Sequence, residues 1–253
     1  MNDQTRPAPV AGVILIGNEL LSGRTRDGNL SHIAARLLER GITVREARVI
    51  ADDPQVIKNT VNTLRETCDF VFTTGGIGPT HDDITAECVA AAFGVNLHLH
   101  PEAERLLRAY FDSRGVAANT ARLRMAHVPE GAELVDNPVS VAPGFRIGNV
   151  FVMAGVPKIM HAMLENILPQ LPDVGQWYSE NVICDVKEGT LAAPLGVLQS
   201  QFPSVELGSY PGKSTDFSRV TLVARGREKD QVAAAASALR EMIKSLGGAE
   251  FAA

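Results

Sequence analysis

The chain has 253 residues, 45% of them hydrophobic and 21% charged, so it can bury a sizeable core, and a disordered segment or a short disulfide scaffold is excluded. Its 24 Lys and Arg against 29 Asp and Glu leave a net charge of −5 with no block of like charge, which argues against a nucleic-acid partner held by bulk positive charge. Cys68, Cys88 and Cys184 are odd in number and far apart, and they read as small buried hydrophobes of a reducing compartment. The apolar run from Val10 to Ile16 is too short for a signal-peptide core or a membrane span, so the expectation is a cytoplasmic protein with no membrane partner.

That run, VAGVILIG up to Gly17, is continuously apolar and β-branched, as a strand covered on both faces reads. Asn29 to Arg40 carries Leu30, Ile33, Ala34, Leu37 and Leu38 at helical spacing, with Gly41 placed as its C-terminal cap. A strand ending near Ile50 follows. Asp53 as N-cap and Pro54 at the first helical position then open a helix with the apolar face Val56, Ile57, Val61 and Leu64. Strand Phe70 to Thr73 completes a β-α-β-α-β order, the pattern of a doubly wound α/β sheet with right-handed crossovers.

After a glycine-rich loop come helices from about Asp83 to Phe93, capped by Gly94, from Pro101 to Arg114, and around Thr120 to His127. Two short β pieces are expected around Val139 and Phe145, then a strong strand at Val150 to Met153 and a helix from Pro157 to Leu168. Pro169, Pro172, Asp173 and Gly175 mark a boundary, which divides the chain into residues 1–172 and 173–253. The second part reads as strand Val182 to Val186, helix Leu191 to Phe202, strands Val205 to Tyr210 and Arg219 to Ala224, and helix Asp230 to Leu246, a small α+β domain.

The informative stretch for chemistry is TTGGIGPTHDDIT at 73–85, which joins a buried strand to a helix through Gly75, Gly76 and Gly78. Such a loop either curls its backbone amides into an anion nest, suited to a phosphate-bearing ligand, or merely makes a turn. Asp82 and Asp83 beside a phosphate nest call for a hard divalent cation between carboxylate and phosphate oxygens, with one aspartate expected on the cation and the other capping the next helix; the structural alternative is capping alone. Glu19 follows the first strand, and in doubly wound sheets ligands bind where the loops after the first and third strands face each other. It is either a partner of the two aspartates or a solvated loop charge.

Two further motifs are set aside. GSYPGKS at 208–214 has three residues between its glycines where a P-loop needs four, and His98 and His100 on one strand face read as polar edge decoration.

GNELLSGRTRDGN at 17–29, TTGGIGPTHDDIT at 73–85, NPVSVAPGF at 137–145 and AGVPKIM at 154–160 together resemble the MoaB/Mog-like fold, specifically the N-terminal module of the competence/damage-inducible CinA family. The resemblance extends through the C-terminal unit, which is similar to the KH-like domain of CinA proteins. Lys158 and Ile159 within GVPKIM look more like the related domain of eukaryotic FAD synthase. The resemblance implies a doubly wound MoaB/Mog-like domain with a small KH-like α+β domain, a homodimer, and a small-molecule nucleotide substrate. The implied reaction is metal-dependent hydrolysis of ADP-ribose to AMP and ribose 5-phosphate, or of FAD to FMN and AMP, with Mg²⁺, Co²⁺ or Mn²⁺ as cofactor. The alternative is a non-catalytic binder of molybdopterin or AMP.

Carried onto this sequence, the resemblance implies that Gly75, Gly76 and Gly78 hold phosphate, with Thr74 and Thr80 among the nucleotide-binding residues. Asp82 or Asp83 would bind the metal, and Glu19 would serve as second acid or general base. Asn29, Pro143 and Gly144 would shape the nucleotide pocket, and Lys158 would either neutralise the diphosphate or make a surface ion pair.

Overall fold

The computed structural model describes residues 8–175, 177–211 and 219–251, and it divides into two compact units between Val174 and Gly175. The elements of the first unit are, in order, β1 (Val10–Ile16), α1 (Asn18–Leu21), α2 (Asn29–Glu39), β2 (Thr43–Ile50), α3 (Pro54–Thr67), β3 (Phe70–Thr74), α4 (Thr85–Phe93), β4 (Leu97–Leu99), α5 (Pro101–Asp112), α6 (Thr120–Leu123), β5 (His127–Pro129), β6 (Glu133–Val135), β7 (Gly144–Ile147), β8 (Val150–Met153) and α7 (Pro157–Ile167). The second unit holds β9 (Tyr178–Cys184), α8 (Glu188–Gln201), β10 (Val205–Pro211), β11 (Val220–Gly226), α9 (Lys229–Ser245) and β12 (Glu250–Phe251).

The main sheet runs β2-β1-β3-β8-β7-β6, parallel across its first four strands and antiparallel across the last three. Alternation along β1 decides both layers. Val13 and Leu15 point to one face, where Ile33 and Leu37 of α2 and Met160, Met163 and Leu164 of α7 cover them. Ile14 and Ile16 point to the other, against Ile57, Val61 and Leu64 of α3 and Cys88 and Val89 of α4. Phe72 and Phe151 are paired across β3 and β8 and stack with ring centroids 5.2 Å apart. The chain leaves β1 in one direction to β2 and then returns past it to β3, so the strand order reverses between β1 and β3.

Local signals account for several of the helix ends. The Asp53 carboxylate accepts from the amides of Gln55 and Val56, both at 2.9 Å, with Pro54 inside the first turn. Gly94 ends α4 at φ +68°, and Gly41 follows α2 at φ +77°. Three expectations fail for stated reasons. Val139 is not in a strand, because Asn137 Oδ1 accepts from the amides of Val139 and Ser140 (3.1 Å each) and folds the segment into a turn; the strand lies earlier, at Glu133–Val135. Val56 is 41% exposed, so the buried face of α3 is Ile57, Thr60, Val61 and Leu64. His100 is not on a strand face with His98 but precedes α5, where its Nδ1 accepts from the amide of Ala103 at 3.4 Å.

The second unit is a four-stranded antiparallel sheet, β10-β11-β9-β12, whose residues Val182, Cys184, Leu222 and Ala224 bury against Leu191 and Leu198 of α8 and Val232, Ala236 and Leu239 of α9. Gly212, Lys213 and Ser214 of the P-loop-like run lie outside the described residues. All three cysteines are buried and free, and burial pushes the Cys88 thiol up to about 11. Among the described residues no helix is long and apolar enough to cross a membrane.

Two stability predictions follow from this packing. Gly75 sits at φ +106° with the carbonyl oxygen of Ile16 where a Cβ would be, so Gly75→Ala is expected to cost at least ~1–3 kcal/mol, read from denaturant melts. The imidazoles of His32 on α2 and His161 on α7 stack 3.6 Å apart, with both Nε2 atoms buried and unpartnered among the described residues. Burial first, and then the facing His161, holds His32 below its ordinary value of 6.5, so the folded state prefers it neutral. A base depressed in the folded state contributes stability above its unfolded pKa and loses it as pH falls. Thermal melts from about pH 7 down to about pH 5 should therefore show a loss of stability that is smaller in His32→Phe, which keeps the stack without the titration.

Candidate functional site

The reversal of strand order between β1 and β3 opens a cleft of about 540 Å³ at the carboxyl ends of the central strands. It is walled by the β1–α1 turn (Gly17, Glu19), the end of β2 (Asp52), the loop after β3 (Gly75 to Pro79, Asp82, Asp83), the Asn137 turn, and the segment from Ala154 into α7.

Gly75 is where these segments meet. Its amide donates to Met153 O at 3.1 Å, which commits it to the sheet, and it passes directly under Ile16 O and beside Gly155. At Gly76 (φ +68°) a Cβ would meet Thr85 Oγ1, and Thr85 in turn donates its hydroxyl to Gly75 O and its amide to Gly76 O, both at 3.0 Å. The loop is thus held from its carbonyl side. No carbonyl or side chain of the described residues takes the amides of Gly76, Ile77 and Gly78, which line the cleft. A run of backbone donors of this kind suits anionic oxygens.

Asp82 and Asp83 do not cap α4. The helix begins at Thr85 with Ile84 at the N-cap position, and both carboxylates turn back instead onto Thr80. The Thr80 hydroxyl lies 2.5 Å from Asp82 Oδ1 and 2.5 Å from Asp83 Oδ2, and the Thr80 amide donates to Asp83 Oδ2 at 2.8 Å. One hydroxyl proton serves two acceptors, so the two carboxylates converge on a single point. The Thr80 hydroxyl holds the Asp82 carboxyl below the usual carboxylate range, with smaller help from His81 and Arg124. Thr80 therefore organises the acids and is not itself part of the cleft lining.

Asn29 and Thr74 stand behind the cleft, in a smaller adjoining pocket. Asn29 Nδ2 donates to Thr74 Oγ1 at 2.7 Å and to Gly155 O at 2.8 Å, tying the start of α2 to β3 and to the loop before α7. Pro143 lines a separate small pocket with Gly78, Asp83 and Arg124. Gly144 faces the sheet: a Cβ there would strike Val152 O, so its place is explained by strand packing. Lys158 is exposed and outside the cleft lining, whereas its neighbours Pro157 and Ile159 are within it.

Asp52 is the residue that sequence reasoning missed. Its Oδ2 accepts from the amide of Asn18 at 2.8 Å and fixes the turn that carries Glu19. The signal was present, since Asp52 lies two residues beyond the end of β2, but its neighbour Asp53 supplied the visible cap. Asn137 and Ser140 also line the cleft, placed there by the turn that Asn137 makes with its own side chain.

Electrostatically the cleft is one-sided. Its lining holds the four carboxylates Glu19, Asp52, Asp82 and Asp83 and no Lys, Arg or His. Among the described residues no three His, Cys, Asp or Glu side chains are grouped to hold a metal ion by themselves. A cation here would take carboxylate oxygens from Asp82 and Asp83 and complete its shell with ligand oxygens or water, a donor set suited to a hard divalent ion.

Comparison with known proteins agrees with this architecture. Residues 12–173 match the family model described as "Probable molybdopterin binding domain", and residues 176–247 match "FAD synthase, middle domain". A protein of Archaeoglobus fulgidus is 35% identical over 91% of this chain and 96% of its own, and one of Aeropyrum pernix is 34% identical over 95% and 96%. The crystal structure of the protein CinA, of unknown function, from Thermoplasma acidophilum is 36% identical, covers 64% of this chain and 98% of its own, and superposes with a TM-score of 0.60. With a match over residues 12–173, cleft included, the chain belongs to the MoaB/Mog-like family of probable molybdopterin binding domains, joined here to a FAD synthase middle domain.

Proposed function

We propose that the chain hydrolyses the diphosphate bond of an adenosine diphosphate compound, ADP-ribose or FAD, with a divalent cation. The observation that carries this reading is the pairing of free backbone amides at Gly76 to Gly78 with a lining whose only charged side chains are carboxylates. The amides offer anionic oxygens a seat, yet four carboxylates would repel them. Each unit-charge pair 4 Å apart costs roughly 4 kcal/mol at an effective dielectric of 20, so a diphosphate enters only with its own counter-charge. Asp82 and Asp83, already converged on Thr80, are the residues that would hold that cation. When bound, a divalent ion polarises the diphosphate and lowers the pKa of a coordinated water.

The chain's own residues divide the remaining work. The amides of Gly76, Ile77 and Gly78 orient the non-bridging phosphate oxygens. Glu19, held in the cleft by the turn that Asp52 fixes, accepts the proton of the attacking water. The apolar wall of Ile77, Met125, Val156 and Ile159 suits a purine or flavin ring. The match of residues 176–247 to the FAD synthase middle domain supports keeping FAD beside ADP-ribose.

The test is AMP release, followed by chromatography, from ADP-ribose, FAD and NAD with and without Mg²⁺, Mn²⁺ or Co²⁺. Metal-dependent AMP from one of them is the expected result. AMP or molybdopterin binding without turnover under any metal would overturn it and leave a binding protein, the reading that the family's description favours. In the active case Asp83→Asn should lower turnover at least about a hundredfold while the melting temperature holds. Lys158→Ala, being exposed and outside the cleft, should change turnover by less than about twofold, which the same assay reads.

A further inference from the structure

Asp82 and Asp83 are neighbours of like charge, Asp82 exposed and Asp83 half-buried, and their oxygens repel unless a donor brings them together. The Thr80 hydroxyl does so, which transfers the question to Thr80, itself exposed on the tip between β3 and α4. Its carbonyl accepts from the Asp83 amide within the loop at 3.3 Å and is held from outside the loop as well. Arg124, just beyond α6, donates through Nη1 to Thr80 O at 3.1 Å and through Nη2 to Glu87 Oε1 on α4 at 2.9 Å. The planar guanidinium thus spans the loop tip and the helix behind it in a single fixed fork. Arg124 and Asp83 also line the same small pocket beside the cleft, and Gly78 and Asp83 belong to the lining of both.

We propose that Arg124 is a positioning residue for the carboxylate pair: by clamping the Thr80 carbonyl to Glu87 it fixes the hydroxyl on which Asp82 and Asp83 converge. The proposal rests on the reading of that pair as the cation-holding group. It separates orientation from stability. The side chains of Arg124 and Glu87 are 31% and 47% exposed, and an ion pair so open to water contributes little to folding. A lysine could reach one partner with a point charge, but it could not hold both with fixed angles.

The test uses the full chain and two readouts. Mn²⁺ binding, followed by electron paramagnetic resonance of the free ion, should weaken about tenfold or more in Arg124→Met, as loss of a residue that orients metal ligands does. Arg124→Lys should not restore it, Glu87→Gln should fall between, and melting temperatures should stay level. Independently of any metal, hydrogen exchange at the Thr80 amide, which donates to Asp83, should quicken in Arg124→Met. Unchanged Mn²⁺ affinity and unchanged exchange in Arg124→Met would overturn the proposal. If the wild-type chain binds no Mn²⁺ and releases no AMP, the metal-dependent reading fails, and the Thr80 exchange alone then decides whether Arg124 positions the pair.

Discussion

Everything at the cleft depends on three backbone segments crossing with no side chain between them. Gly75 passes under the carbonyl of Ile16, takes Met153 O with its amide, and lies against Gly155, so the ends of β1, β3 and β8 reach the same point. A methyl group there would push β1 from β3, and since β1 pairs with both β2 and β3 the displacement would be carried across the parallel half of the sheet. The cleft is the open side of this crossing. It lies where the strand order reverses because the crossovers leave on opposite faces there.

Sheet geometry fixes where the cleft is, and exposed loops fix what it contains. The core beneath is apolar and closed, with Phe72, Phe151, Met153 and Val152 essentially inaccessible. Above it the charged groups are hydrated, and hydrated charges contribute little to stability. Their arrangement must therefore come from directional hydrogen bonds. Asp52 spends one oxygen on the amide of Asn18, and Asp83 spends one on the amide of Thr80. Both residues line the cleft beside a turn that they help to build. The same carboxylates both shape the backbone and supply the charge.

Period and punctuation made the fold legible in the sequence. The unbroken apolar run of β1, the Asp53-Pro54 start of α3 and the glycine ends of α2 and α4 each have one physical meaning, and each stands in the structure. The second unit's order of strands and helices was legible for the same reason, although α8 runs on through Pro194. The site was legible in composition and not in connection. Gly75, Gly76, Gly78, Asp82, Asp83 and Glu19 do come together. Which groups the aspartates bond to depended on where α4 starts, and a displacement of two residues turned an expected cap into a pair gathered on Thr80. Val139 misled because β-branching is a weak preference, and the Asn137 side chain two residues earlier overrode it by capturing two amides. Asp52 was hidden by an adjacent residue with a more familiar pattern.

Asn29 shows why a residue in a matched motif need not touch the ligand. Gly155 O can only accept, so the Asn29 amide nitrogen must face it, and the orientation of the side chain is settled by its neighbours. The Asn29 Oδ1 is then left buried without a partner among the described residues, a group whose desolvation costs about 1–3 kcal/mol. A position selected for stability alone would avoid that cost. What Asn29 gains is geometry: one side chain sets the spacing between the start of α2, the end of β3 and the segment that leads into α7. One turn further along the same two helices, His32 and His161 meet face to face. The wall of the cleft is thus braced at its rim by a polar clamp and below it by a stack that favours neutral rings.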